Sequence, residues 1–566
     1  MFKKSKMSRS GKLVSQLFSV RNSYGKEFPS QKFFLLKAID KEKPTSKKDV
    51  QLYYSVLLFL IAYPDNRSVY TQATFSLQQL HLHIQAHKRL HDSLYNTGIT
   101  NTQLCAAYSF EMVKWMRAIY KKNIRISSFE AGEAQIQFIL SVVMPKVESE
   151  IMQDGNAEWR SWLKRSLTKG EDLLDRLIAV FDETDIRPEV KDELWSAIGI
   201  NIEIDFTAPD ILPDPLFIPY YHRSLIKKKN NRELKGIHPP KVHLKKDEAA
   251  QIIACGRMIL VKHLREIDPI TFTAEELISY YRLPRGYSIA LMGMVPERRH
   301  PIDSYIGYAV FKNGLPVAYA ASWVFFDSAR IGLNLFPAFR GGESKYIFEQ
   351  VLKIHRSVYR LKRFSTDPYQ VGKDNSDGIH SGAFWIYYSA GFRPIGEEQR
   401  KISEIEAKKI RSLKGYRTPA SVLKKLAESR LELILDKKAV RFDVTDLSRA
   451  YAGILKDQYN NKRKPAEELA VKKIAAILKI KNYQEVNIQY VLRNWSVLLL
   501  NNEKELRSNG ELKKILKKLF ELKASGSEEE YIYGLQRSVA LKKMMERVLD
   551  NIANYEPDRS DWIAAN

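Results

Sequence analysis

The stretch from Ser304 to Phe326 constrains this chain more than any other. Ser304–Lys312 (SYIGYAVFK) and Pro316–Phe326 (PVAYAASWVFF) are rich in aromatic and β-branched residues, and Asn313-Gly314 lies between them. Both residues of that pair tolerate positive φ, which a two-residue hairpin turn with the right twist requires. An antiparallel ribbon of this length cannot be stable alone, so the sequence must supply more strands or helices to cover it.

The residues that follow supply both. Ile331–Phe336 (IGLNLF) reads as a third strand running into Pro337-Ala338-Phe339-Arg340-Gly341-Gly342-Glu343-Ser344, and Lys345–His355 (KYIFEQVLKIH) reads as a helix. A glycine turn feeding a helix start can point several backbone N–H groups at one anion, as a pyrophosphate needs. Arg340 would add a charged contact that can be bidentate. Further on, Arg363–Gln370 (RFSTDPYQ) reads as a strand. In the segment from Ser381 to Phe392, Ala383, Tyr387 and Gly391 are spaced by four and share a helix face, with Gly391 as the helix stop.

This order of hairpin, strand, Pro-x-x-Arg-Gly turn, helix, strand and Ala-x-x-x-Tyr-x-x-x-Gly-Phe resembles the GNAT superfamily of acyl-CoA-dependent N-acyltransferases. Pro337, Arg340 and Gly341 match the start of that family's coenzyme A pyrophosphate loop; Ala383, Tyr387, Gly391 and Phe392 match its last helix and strand. The stretch Ser288–Phe392 is also similar as a whole to bacterial proteins that carry such a domain. The resemblance spans residues 247–398, about a quarter of the chain. It departs from the family in the turn, which is one residue short and carries Glu343, and in the long segment Val371–His380 before Ala383.

The resemblance implies transfer of an acyl group, acetyl in the first instance, from a coenzyme A thioester to an amine. It places Arg340, Gly341, Gly342 and Ser344 at the coenzyme and Tyr387 where the departing thiolate is protonated. Asp367, at the end of a strand near the expected cleft, is the first choice of base for the attacking amine, with Glu343 and His380 as weaker choices. The identity of the amine is open. Two other readings stay open with it: a GNAT fold that has lost catalysis and binds nucleic acid or another polyanion, and a transferase whose donor is carrier-bound or an aminoacyl-tRNA.

Around this segment the pattern is helical, giving an α+β fold class: a central GNAT-like mixed sheet with helices, flanked by mainly helical N- and C-terminal regions. The first fifty residues hold 13 basic against 4 acidic side chains, and residues 1–47 read as a loosely ordered basic arm. Residues 48–205 read as a helical domain, with apolar spacings of three and four through Val50–Ala62, Ala73–Leu94, Ala106–Ile119, Ala134–Val147 and Leu173–Phe181. Residues 206–246 form a connector with Pro209, Pro213, Pro215, Pro219, Pro239 and Pro240 around Lys227-Lys228-Lys229. Residues 247–400 make the acyltransferase-like domain. Residues 401–566 read as helical through Leu423–Leu435, Ala466–Ile480, Leu512–Ala524 and Ile532–Ile552.

Charge and cysteine content narrow the partners. Lys plus Arg is 91 against 66 Asp plus Glu, a formal +25. Such an excess favours a polyanionic partner such as coenzyme A, nucleic acid or an anionic surface. The basic runs are dispersed, and 34 basic against 23 acidic residues in Lys401–Asn566 carry no sequence-reading motif. Two cysteines, Cys105 and Cys255, exclude a disulfide scaffold and a four-cysteine zinc site. Cys255, in the apolar run Ile252–Leu260, reads as a buried small hydrophobe. His81, His83, His87 and His91 crowd one helix, but no carboxylate has the spacing of a metalloprotease site, so a polar helix border is expected and no metal. Pro296-Glu297-Arg298-Arg299-His300 reads as a solvated charged loop. The longest apolar run, Tyr53–Tyr63, is too short to span a membrane, and no secretory signal is visible, so a cytoplasmic location is expected.

Overall fold

The structure, a computed structural model, describes residues 8–153, 158–206, 214–226 and 239–553. Pro209, Pro213 and Lys227–Lys229 of the connector lie outside the described residues.

The hairpin forms as its sequence requires. Strand β7 (Ser304–Lys312) pairs antiparallel with β8 (Leu315–Phe325). Asn313 and Gly314 both take positive φ, +46° and +84°. Asn313 also works as a tie: its Nδ2 donates to the carbonyls of Ala62 and Tyr220 at 3.1 and 2.9 Å, and its Oδ1 accepts from the Tyr220 amide at 2.9 Å.

Among the described residues ten strands make the central sheet. In chain order they are β4 (Lys241–Val242), β5 (Ile278–Leu283), β6 (Tyr287–Met292), β7, β8, β9 (Ser328–Ile331), β10 (Asn334–Leu335), β11 (Arg363–Thr366), β12 (Arg393–Pro394) and β13 (Leu431–Ile434). The spatial order is β12-β13-β11-β9-β8-β7-β6-β5-β4, with β10 also on β8. Every pairing is antiparallel except β9 with β11, which are parallel and joined through the helix Ser344–Tyr359. The fold is therefore mixed α+β, with a mixed sheet and flanking helices. A parallel pair needs a crossover of this kind, and its amphipathic helix buries Ile347, Phe348, Val351, Leu352 and Ile354.

Several expectations from the sequence need correction. The basic stretch before residue 48 is not a loose arm: Arg9–Val20 and Phe28–Glu42 are helices. Their Val14, Leu17, Leu35, Leu36 and Ile39 are buried in the same core as the helix Lys47–Ala62 and the central sheet. Lys32 enters that core because Asp65 pairs with it at 2.7 Å, both side chains being almost wholly buried. Residues 48–205 are not purely helical either. Gln103–Ala107 (β1), Ile124–Phe129 (β2) and Ile200–Asp205 (β3) form a separate antiparallel sheet, order β1-β3-β2, with its own core. Ile200, Ile202 and Ile204 alternate inward in β3, a period-two signal too short to stand out among helices. Finally, Leu423–Leu435 is not one helix. The helix stops at Leu426, and β13 enters the central sheet between β12 and β11.

The remaining C-terminal helices, Val444–Tyr459 through Val539–Ala553, enclose a third core that takes in Ile302, Phe325 and Phe326 of the hairpin region. The charged loop before β7 is the joint between regions rather than a free surface. Arg298 pairs with Asp192, and buried Arg299 donates to the Gly526 carbonyl at 2.8 Å. Among the described residues no helix is long and apolar enough to cross a membrane.

Candidate functional site

The parallel pair is where the sheet opens. β9 and β11 are in register over Ser328–Arg330 and Arg363–Ser365 and then part. Beyond Ile331 the chain loses its partner at Gly332 and Leu333, then rejoins β8 as β10. Thr366 follows Ser365 on the other side of the gap and is paired with Leu431 alone. Ligands of α/β sheets bind outside the carboxyl ends of parallel strands, and this split is the one such place among the described strands.

Tyr387 reaches the split. Its helix, Ala383–Ser389, packs on the crossover helix, so the Tyr387 ring stands edge-on to Phe348 at 4.7 Å and to Phe392 at 5.6 Å. Gly391 ends the turn with φ +103°, as the spacing predicts. The Tyr387 side chain is 2% exposed, and its hydroxyl has no hydrogen-bond partner of good geometry. The buried Thr366 hydroxyl and the Trp385 indole N–H are unpartnered too. Burial raises the Tyr387 pKa well above the ordinary phenol; the Thr366 hydroxyl and the Leu333 backbone oppose this, and the Asp367 charge adds to it. The phenol is therefore protonated at neutral pH, with Thr366 and the Leu333 backbone beside its hydroxyl.

Asp367 sits at the same strand end, between two cations: Arg330 at 3.4 Å and Arg430 at 3.9 Å. Arg330 in turn lies over the Trp323 ring at 4.5 Å. His380 is exposed on the helix Ser376–Ser381, its Nδ1 2.7 Å from the Ser376 carbonyl, and it stays out of the split.

The glycine turn is built differently from a bare phosphate cradle. Gly341 has φ +89°, a conformation that favours glycine. Gly342 lies against the Tyr63 ring, which would be 2.8 Å from a β-carbon there. Glu343 turns away from the cradle, with its side chain fully buried. It pairs with Arg285 at 2.6 Å and accepts from Tyr287 Oη at 3.0 Å and the Ile226 amide at 2.8 Å. That network makes Glu343 a structural anion rather than a base. Arg340 points outward and spans both carboxylate oxygens of Asp377. Ser344 opens the helix, partly exposed.

A buried cation lies behind the turn. Lys312 donates to the Arg285 carbonyl at 2.5 Å, and the rings of Tyr287, Tyr220 and Tyr63 stand 4.9, 5.1 and 5.5 Å from its Nζ. Burial brings its pKa down to about 7 against the support of Glu343, and Arg285 lowers it further. His222, beside it, is held neutral: burial first, then Lys312 and Arg285, bring it to about 2.

The structure thus gathers Tyr387 and Asp367 at the split, with the turn one helical turn from Phe348. Thr366, Trp385, Tyr63, Arg285 and Asp377 were not expected there. Thr366 and Trp385 could have been suspected from their places beside Asp367 and Tyr387, and Asp377 from the segment before Ala383; Tyr63 and Arg285 lie too far away in sequence to signal anything. Elsewhere, Cys255 is buried as expected, and His83 and His87 contact the Pro44 and His83 carbonyls. No family model, no curated protein sequence and no solved structure matches this chain.

Proposed function

We propose that the protein is an N-acyltransferase that moves an acyl group, acetyl in the first instance, from a coenzyme A thioester to an amine. The observation that carries this reading is the unpartnered, buried Tyr387 hydroxyl at the split between β9 and β11. Burying a hydroxyl with no partner costs free energy, and a bound ligand would supply what is missing. The glycine turn at the start of the crossover helix is the expected pyrophosphate site.

In this reading the thioester lies in the split with its sulfur near Tyr387. The amine nitrogen attacks the carbonyl carbon, a C–N bond forms, and the C–S bond breaks as the tetrahedral oxyanion collapses. Tyr387, protonated at neutral pH, gives its proton to the departing sulfur and takes back the proton that the nitrogen sheds once the C–N bond has formed. Asp367 holds the incoming ammonium and accepts its proton directly or through water, its ion pairs with Arg330 and Arg430 fixing its position. Isothermal titration with acetyl-coenzyme A and free coenzyme A tests the first step. Micromolar binding lost in Arg340→Glu supports the reading, and no binding by the folded protein defeats it.

A second reading has its own support. The chain itself fills part of the cradle, with Tyr63 on Gly342 and Asp377 on Arg340, and the formal charge is +25. A GNAT-like fold that binds a polyanion without catalysis fits those facts. Its signature would be nucleic-acid affinity falling by orders of magnitude between low and moderate salt.

A further inference from the structure

Two donors from the far end of the sequence converge on the glycine turn. Arg21 follows the helix Arg9–Val20, and Arg21 Nη2 and Asn22 Nδ2 lie 3.4 and 3.7 Å from the point where a β-carbon on Gly341 would stand. Arg21 is held there by its neighbours: its Nη1 donates to the Phe18 carbonyl at 2.7 Å, and the guanidinium carbon sits 3.6 Å from the centre of the Phe18 ring. Among the described residues neither Arg21 Nη2 nor Asn22 Nδ2 has an acceptor, and Arg21 has no carboxylate partner. The one acidic residue of the turn, Glu343, is turned inward to Arg285. A half-buried, pre-positioned guanidinium without a counter-ion, beside a carboxamide N–H and a bare glycine backbone, is a site for a phosphate oxygen. The crossover helix that follows the turn carries Phe348, whose ring meets Tyr387 at 4.7 Å.

We infer that Arg21 and Asn22 complete a phosphate-binding site over Gly341, so that the N-terminal helices grip the diphosphate end of the donor. The choice of coenzyme A as ligand rests on the acyltransferase reading; the anion site itself does not. The site also gives the N-terminal helices a reason to be packed on the turn, and it offers a cation in place of Arg340 while Asp377 holds that residue.

The test is titration of the full chain with inorganic pyrophosphate, then with acetyl-coenzyme A, for the unaltered protein, Arg21→Gln, Arg21→Lys and Asn22→Ala. Arg21→Gln removes the guanidinium and its charge but keeps a polar side chain, and an unchanged thermal transition shows that the fold is intact. Pyrophosphate affinity should fall roughly tenfold or more in Arg21→Gln, less in Asn22→Ala, and least in Arg21→Lys. No pyrophosphate binding by the unaltered protein, or equal binding by Arg21→Gln, overturns the inference. Pyrophosphate binding through Arg21 without acetyl-coenzyme A binding leaves the anion site standing and removes the acyltransferase reading. Acetyl-coenzyme A binding indifferent to Arg21 and Asn22 does the reverse.

Discussion

Arg340 and Asp377 form a two-pronged ion pair, Nη1 to Oδ1 at 2.9 Å and Nη2 to Oδ2 at 2.5 Å. It joins the glycine turn to the segment between β11 and the Tyr387 helix. Asp377 is held below the usual carboxylate range, chiefly by its hydrogen bonds from Arg340.

Both partners of that pair are substantially exposed, so breaking it should change stability by less than about 1 kcal/mol. Asp377→Asn would release Arg340 toward the turn. Acetyl-coenzyme A affinity should then rise a few-fold, whereas Arg340→Glu should lower it. Calorimetry on both variants checks this, and equal affinities across the pair would remove Arg340 from the coenzyme site.

Tyr387→Phe separates a catalytic tyrosine from a core one. The hydroxyl makes no hydrogen bond of good geometry in the free protein, so its loss should change stability by no more than about 1 kcal/mol. Turnover should fall roughly 10- to 100-fold, a typical share for proton transfer or hydrogen bonding to a leaving group. Thermal unfolding and thiol release measured on the same preparation decide. A destabilised variant with normal turnover would make Tyr387 structural.

Gly342→Ala would push a carbon against the Tyr63 ring, which is fixed by its bond to Tyr287 Oη at 3.2 Å. Overpacking of this kind should cost about 1–3 kcal/mol in a denaturant titration. The double variant with Tyr63→Leu should recover part of that loss. Additive effects in the double-mutant cycle would mean that the two residues do not bear on each other.

Lys312 gives the protein a pH signature. Its folded pKa is depressed to about 7 from an ordinary 10.5, so between those values the unfolded chain binds the extra proton. The penalty is fully present below about pH 7 and is relieved as pH rises toward 10.5, with a slope of at most about 1.4 kcal/mol per pH unit. Glu343, Arg285, His222 and the phenols of Tyr63, Tyr220 and Tyr287 face the amine. Lys312→Met should therefore stabilise the protein more at pH 6 than at pH 9. A stability profile of the same shape in both proteins would show that Lys312 is not the source.

Local rules reached far into this fold. The Asn313-Gly314 hairpin, the helix after the glycine turn and the Gly391 stop are set by φ preferences and apolar spacing within a few residues, and each forms where the sequence places it. The same rules failed where strands are short. β3 and β13 carry six and four residues, and four alternating positions cannot be told from a helix fragment until a partner strand is known.

What the sequence by itself determined is the hairpin, the crossover helix and the Tyr387 helix with its glycine stop, and the presence of Arg340, Gly341, Tyr387 and Asp367 in their order along the chain. Only the tertiary structure decided what those residues face. Tyr63 meets Gly342, Arg21 meets Gly341, Arg285 neutralises Glu343, and β13 seals the edge of β11. The reason is physical. Backbone preferences act over one turn of chain, whereas burial, ion pairing and the satisfaction of buried polar atoms are settled between residues separated by tens to hundreds of positions.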